Sequence, residues 1–548
     1  MIVARCLALV ACIGLVPAPA VVQAQPTMAD DMVGIWAAEI TFAPALRGQL
    51  TIVRDGSAWR ATIANAKTSF QSSGAAIRFA FPGNRGQFRG RLTEGGHAIA
   101  GFWLQPAAGA SDPKDPGGAG QAFAAPLILQ GAGRGIWRDM VNPLDDRFTL
   151  YLKVYRNAEG VLVGAFRNPE MNSNGGASLF RVTREGDALA FSARLGETEP
   201  ETRLTSTVVS STRLQIFWPD LGRVVELARR TPQEAALTRL VQKIIDADPA
   251  ARRPALIHSI LIAYRGKLVL EEYFFGYDRE RQHDLRSAGK TFASIMLGAA
   301  MMRETKVAPE ASLYKLLAGM GPFANPDPRK SRITLGHLLT HTSGLACDDN
   351  DDRSLGNEDT MQRQGHEPNW WKYTLDLPMA HDPGTRYAYC SANINLVGAA
   401  LTTATRTWLP ELFDGTIARP LQFGPYYWNL MPTDEGYLGG GAYLRPRDLL
   451  KVGQVFLDGG TWQGRQIVDA AWVSRSTLPR VAITPETTGL DAKQFPEFYG
   501  RGEDGYAWHL STLRSGDRDY REYAATGNGG QLLIVGPEIE LTVVLIGV

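Results

Sequence analysis

The sequence is short of net charge, of cysteine and of long apolar runs. Its 57 Lys and Arg against 56 Asp and Glu leave a net charge of +1, so there is no electrostatic footprint for nucleic acid. Basic runs are brief, as in Arg252-Arg253, and read as ordinary surface. Past residue 24 no stretch is long and apolar enough to span a bilayer. A Gly-x-Ser-x-Gly elbow is missing, which closes the α/β-hydrolase route. His337 and His341 stand at helical spacing, but the Glu of a His-Glu-x-x-His zinc motif is lacking. The acidic loop Asp348–Asp359 carries Arg353 where a calcium loop of the EF-hand type needs Gly. That loop reads as solvated surface, and neither a metal site nor an organic cofactor is expected.

What is present begins with size. A chain of 548 residues, 44% hydrophobic and 21% charged, is too long for one ordinary core and has the balance of a soluble globular protein. Two or three domains are expected. Residues 1–24 read as a secretory signal, with Arg5 as the positive end and Leu7–Val22 as the apolar part. Pro17 and Pro19 argue against a spanning helix, and Val22-Gln23-Ala24 fits a cleavage site. Lipoprotein processing at Cys12 fits less well, because the apolar run continues past it. A periplasmic or secreted location is the expectation. Cys6 and Cys12 leave with the signal, so Cys347 and Cys390 remain. In an oxidising compartment they can pair, or they can stay as buried thiols.

Residues 30–230 are rich in short alternating runs separated by Gly and Asn, the pattern of an antiparallel meander. Leu50–Val53 turns at Asp55-Gly56, and Ala76–Phe81 and Gly86–Gly90 turn at Glu94–Gly96. Gly34-Ile35-Trp36 recurs as Gly135-Ile136-Trp137, and Phe102-Trp103 as Phe217-Trp218. This predicts two tandem all-β modules, 25–131 and 132–230, each a small barrel or sandwich with its tryptophans as core plugs. The stretch Gln105–Gln121 is rich in Gly, Ala and Pro and reads as a loop. Thr231 and Glu234 form a capping box with Pro232 between them. A boundary near 231 is expected there, because strands such as Leu256–Tyr264 and Leu268–Phe275 then alternate with helical runs.

One stretch of the second half carries a mechanism. In Arg286-Ser287-Ala288-Gly289-Lys290 the serine and lysine fall one turn apart at the start of an apolar helix. A serine hydroxyl needs a neighbour that takes its proton, and a lysine desolvated by burial can help. Alone the pattern is weak, since Ser312-Leu313-Tyr314-Lys315 repeats it and a serine at a helix start is more often a cap.

Four further stretches change that balance: Ile333–Leu345 with His341-Thr342-Ser343-Gly344-Leu345; Asp376–Met379 leading to Pro383–Ser391; Gly439–Leu444 with Arg447-Asp448-Leu449; and Gly527-Asn528-Gly529-Gly530-Gln531. Together with Ser287-x-x-Lys290, and in this order, they resemble the serine β-lactamase-like hydrolases. These are the class C β-lactamases, the D-Ala-D-Ala carboxypeptidases and the related esterases and amide hydrolases. The resemblance covers about 235–548. It implies an α/β (α+β) domain over 231–548, an antiparallel sheet with helices on its face and a helical insert after the Ser287 helix. It demotes Ser312 and Lys315 to a surface helix.

The resemblance also implies roles. Ser287 is the nucleophile, Lys290 helps deprotonate and orient it, and Tyr389, its phenol shifted by Lys290, is the general base that hands the proton to the leaving group. The backbone N–H groups of Ser287 and Asn528 form the oxyanion hole, with Thr526, Gly527 and Ser391 lining the substrate site. Some relatives carry cysteines at both places held here by Cys347 and Cys390, so a disulfide tying the acidic loop to Tyr389 is expected.

Three departures bear on the substrate. Ser391 replaces the Asn of the family's Tyr-x-Asn motif. Ala525-Thr526-Gly527 stands where penicillin-recognising relatives place a cation for the substrate carboxylate, unless Arg521 or another cation substitutes. Relatives continue into a helix packed on the sheet, whereas this sequence stops at Val548, so another element covers that face or the chain runs on. The reading is a secreted serine hydrolase of a small ester or amide. One alternative is a β-lactamase or D-Ala-D-Ala carboxypeptidase. Another is a binding protein that has lost turnover, its β modules recognising cell-wall glycan or a partner.

Overall fold

The computed structural model describes residues 30–548 except 42–45, 107–121, 145–146, 157–158, 168–178, 186–187, 194–201, 219–222, 231–256, 275–276, 304–306, 492–501 and 548. The signal segment, the loop 107–121 and the capping box at Thr231 lie outside the described residues.

The N-terminal half is all β, but the chain does not cut it into tandem halves at 131/132. The first strand, Gly34–Thr41, pairs with Arg147–Arg156 on one side and with Arg223–Arg230 on the other. It thereby closes an eight-stranded barrel whose other strands all follow residue 146. The strands from Gly48–Asp55 to Ile136–Val141 form a second β unit inserted between the first two strands of that barrel. Alternation along a strand tells which residues face inward and leaves the partner strand open; the sequence repeat therefore suggested succession where the pairing is nested.

Each unit has its own core. Trp36 is fully buried in the closed barrel among Leu152, Val154, Phe191, Leu214 and Leu227, and its indole N–H donates to Met32 O at 3.0 Å. Trp59, Trp103 and Trp137 are buried in the inserted unit, with the Trp59 and Trp137 rings stacked 5.5 Å apart. Phe217, the repeat counterpart of buried Phe102, is 49% exposed.

The inserted unit is continuous with the C-terminal half. Its strand Ala122–Gly131 pairs with Tyr427–Leu430, matching Ala124 to Trp428. That strand pairs with Ala442–Leu444, which pairs in turn with His283–Asp284, immediately before the Ser287 turn. Phe102 meets Trp408 edge-on at 5.2 Å and Phe123 meets Tyr443 at 5.3 Å, so the junction is aromatic as well as hydrogen-bonded.

The C-terminal half is built on an eight-stranded antiparallel sheet. Five adjacent strands are Lys267–Tyr273, Ile257–Tyr264, Leu541–Gly547, Gln531–Gly536 and Arg518–Gly527; His509–Ser515, Gly502–Asp504 and Val481–Ile483 extend the edge. The expected hairpin turns at Arg265-Gly266, both residues at positive φ. Helix Pro446–Leu457 packs on this sheet, with Pro446 at its first turn and Leu449, Val452, Val455 and Phe456 facing in. Helix Thr291–Met301 is apolar all round and buried along nearly its whole length, as a helix in the centre of a core must be. Ser312 and Lys315 belong to a short turn of helix, Leu313–Leu316, with Lys315 exposed.

Candidate active site

Residues Arg286–Lys290 form a tight 3₁₀ turn that runs straight into helix Thr291–Met301. Arg286 enters it at φ 51°, a left-handed conformation that costs a non-glycine residue energy and persists only when its surroundings fix it. Here they do: buried Asp284 accepts the Arg286 backbone N–H at 2.9 Å and pairs with its guanidinium at 3.1 Å. Leu285 N–H donates to Ala442 O at 3.0 Å. Gly289 lets the Gly440 carbonyl approach, since a Cβ there would lie 2.9 Å from that oxygen. The glycine-rich stretch at 439–441 thus serves as the bed of the turn.

On that turn Lys290 Nζ donates to Ser287 Oγ at 3.0 Å and lies 5.2 Å from the centre of the Tyr389 ring. The Tyr389 hydroxyl is within hydrogen-bonding reach of both Ser287 and Lys290. Burial acts to lower the Lys290 pKa, but Tyr389, Glu358 and Asp349 outweigh it and the ammonium is held above its usual value. Burial pushes the Tyr389 phenol up, with Lys290 and Ser287 opposing. This corrects the expectation of a lysine softened by desolvation and a phenol shifted down. At rest the pair keeps both protons, and the first one lost is shared between Lys290 and Tyr389.

The strand Arg518–Gly527 ends against the turn. A Cβ on Gly527 would stand 2.4 Å from Leu285 O and 3.0 Å from Ala288 N, so only glycine allows this approach. The neighbouring strand His509–Ser515 pairs with it only as far as Ala524. Among the described residues the outer edge of 525–528, with Thr526 half-buried and Asn528 exposed in the following turn, therefore has no ladder partner beside Ser287. Ala525 is buried in the core. Arg521 does not replace the missing cation, because it is 80% exposed and pairs with Glu538.

Cys347 and Cys390 are joined by a disulfide, Cα to Cα 5.7 Å. It draws the acidic loop inward, and here the surface reading of that loop fails. Asp349 N–H donates to Tyr389 O at 2.8 Å. Asp349 Oδ2 accepts the backbone N–H and the hydroxyl of Ser391, both at 2.7 Å. Glu358, on helix Glu358–Arg363, lies 3.1 Å from the same Ser391 Oγ and accepts from Gln362 at 3.1 Å and from the Tyr437 hydroxyl. Ser391 is 1% exposed. Its hydroxyl is committed to these carboxylates, so it is not the substrate contact the motif implied.

His341 is buried at φ 55°, its Nδ1 accepting the Cys390 N–H at 3.1 Å and its ring 4.7 Å from that of Tyr389. Burial lowers its pKa to about 3, so the ring is neutral and fixes the loop that carries Tyr389. His337 caps a helix, its Nδ1 accepting the Thr334 N–H. On the far side His509, partly exposed, pairs with buried Asp504 at 2.7 Å, which also accepts from Tyr387. Asp349, Glu358, Tyr437 and the Asp504–His509 pair escaped the sequence reading. The signal for Asp349 was its place two residues from Cys347, which a bridge to Cys390 brings beside Tyr389.

A family model described as Beta-lactamase matches residues 241–546, more than half of the chain. A 6-aminohexanoate-dimer hydrolase of Paenarthrobacter ureafaciens is 24% identical over 39% of this chain and 55% of its own length. The acyltransferase mokF of Monascus pilosus is 31% identical over 25% of the chain and 35% of its own length. The chain thus spans about half or less of these two curated relatives. Among solved structures, a family VIII carboxylesterase is 16% identical, covering 58% of this chain and 93% of its own, with a TM-score of 0.43. A penicillin-binding protein homologue from Caulobacter crescentus is 13% identical, covering 57% and 91%, also at 0.43.

Proposed function

From the premise that this chain belongs to the serine β-lactamase-like family, we propose that it is an exported serine hydrolase acting on a small ester or amide. The observation that carries this reading is the convergence of Lys290 Nζ on Ser287 Oγ at 3.0 Å with the Tyr389 hydroxyl beside both.

In this reading Ser287 Oγ attacks the substrate carbonyl and its proton passes to the Lys290–Tyr389 pair once that pair has lost one of its own. The backbone N–H groups of Ser287 and Asn528 hold the oxyanion, with Gly527 making their approach possible. Tyr389 then protonates the leaving group. Water then gives a proton to the same pair as its oxygen bonds the acyl carbon, and when the acyl–Oγ bond breaks the pair returns that proton to Ser287 Oγ and the acid leaves. Among the described residues, neither the buried Ala525 nor the outward Arg521 supplies a cation at the position where a substrate carboxylate is bound in penicillin-recognising relatives. That favours esters and amides over β-lactams. The relative named as an acyltransferase makes transfer to an acceptor other than water a variant of this reading, which alcohols or amines added to the assay would reveal. Export rests on residues 1–24 and agrees with the Cys347–Cys390 bridge.

The test is labelling by a fluorophosphonate probe, wild type beside Ser287→Ala, with mass mapping of the adduct. A single adduct on Ser287, lost in the variant, is the expected result. A folded wild type that takes no label would overturn the reading.

A further inference from the structure

We propose that Asp349 and Glu358 hold one proton between them across the Ser391 hydroxyl, and that the charge of this pair sets the pH at which Lys290 and Tyr389 become a base. The second half rests on the acyl-serine reading above; the first does not.

The argument is a count of hydrogens. Ser391 Oγ lies 2.7 Å from Asp349 Oδ2 and 3.1 Å from Glu358 Oε2. A hydroxyl has one hydrogen to give. If it donates to one carboxylate, the other contact brings two oxygen lone pairs together unless that carboxyl carries a proton and donates to Oγ. The remaining bonds do not relieve this. Asp349 Oδ2 also takes the Ser391 N–H, Asp349 Oδ1 takes the Glu358 N–H at 2.9 Å, and Glu358 Oε1 takes Tyr437 and Gln362. Two carboxyls bridged by a single hydroxyl repel each other when both carry charge. Burial and then Glu358 accordingly raise Asp349 to about 6.

Both carboxyls act on the charge of Lys290. The groups that bear on this cluster are Asp284 and Arg286 from the nucleophile turn, Tyr389 from the loop before helix Ser391–Thr405, and Tyr437. His341 and His509 are also within range of the lysine's charge. Of these, Asp349 and Glu358 are the carboxylates that raise Lys290. With one proton on the pair, its charge and that of Lys290 cancel. When the proton leaves, the second negative charge tightens the hold of Lys290 on its own proton and delays the formation of the base. Asp349 and Glu358 are positioning residues, acting on the reaction through Lys290.

Infrared titration of the folded wild type tests the shared proton without any need for activity. A protonated-carboxyl stretch that titrates near pH 6, shifts in heavy water and is absent from both Asp349→Asn and Glu358→Gln is expected. Carboxyl bands that all titrate in the ordinary carboxylate range, or a band near pH 6 surviving in both variants, would overturn it. The coupling is read from the pH dependence of the fluorophosphonate labelling rate. Each amide variant should move the alkaline rise to lower pH, and the double variant further still. Folded variants with an unmoved midpoint would leave the carboxyls a purely structural role and refute the coupling. A wild type that is not labelled at any pH would instead sink the acyl-serine reading, with the infrared result still deciding the pair.

Discussion

Trp428 of the catalytic half stands opposite Ala124 of the inserted β unit in one antiparallel ladder. From there the ladder continues through Tyr443 to Asp284, two strands further on and three residues before Ser287. The N-terminal unit is therefore part of the support of the turn that carries Ser287.

A chain lacking residues 25–230 should expose the edge of Tyr427–Leu430 together with the Trp408 and Tyr443 faces. Unpaired apolar edges promote association. Low solubility and a lowered melting temperature are expected, checked by size exclusion and thermal unfolding. In the intact protein, Phe123→Ala should cost about 3 kcal/mol, read from a denaturant midpoint. A truncated chain as soluble and stable as the whole would separate the two halves.

Gly527→Ala should slow acylation of Ser287 by about 100-fold or more, because the new Cβ falls 2.4 Å from Leu285 O. Gly319→Ala, where a Cβ meets nothing within 4 Å, is the matched control and should label at the wild-type rate. Circular dichroism establishes that both are folded.

Loss of the Cys347–Cys390 bridge, in Cys347→Ser with Cys390→Ser, should lower stability by about 4 kcal/mol from loop entropy alone, given a sequence separation of 43 residues. The denaturant midpoint with and without reductant measures it. Labelling of Ser287 should fall more steeply than stability, because Asp349 and Tyr389 lie within two residues of the two cysteines.

Acid should destabilise the fold through its buried imidazoles. Burial lowers both His341 and His283 to about 3, against an ordinary 6.5. Between those limits the unfolded chain binds more protons than the folded one, so stability falls as pH drops below about 6.5. Melting temperatures across pH 7 to 4 should decline, and His341→Asn, which keeps an acceptor for the Cys390 N–H, should flatten the decline. A slope unchanged in that variant would place the acid sensitivity elsewhere.

The parts of the site that were legible in the sequence are those that chemistry demands locally. Ser287 and Lys290 must share one turn, and Gly527 must lack a side chain. Asp349 and Glu358 were hidden because a run of acidic residues looks solvated until a covalent bond turns part of it inward. Ser391 was misread for the same reason, its role depending on carboxylates 42 and 33 residues away. The β half was legible strand by strand, and its nesting was not. Nothing in Gly34-Ile35-Trp36 says that the strand closes a barrel with Arg223–Arg230.

The span from Cys347 to Cys390 is more than a braced loop. Asp349, Glu358 and, at its far end, Tyr389 all ride on this one covalently closed segment, while Ser287 and Lys290 belong to the fixed body. The segment packs through Met361, Trp370, Trp371 and Leu375 into the same core as the helix that follows Ser287, so one covalently closed body carries the tyrosine and both carboxyls and is seated against the serine by its own apolar face.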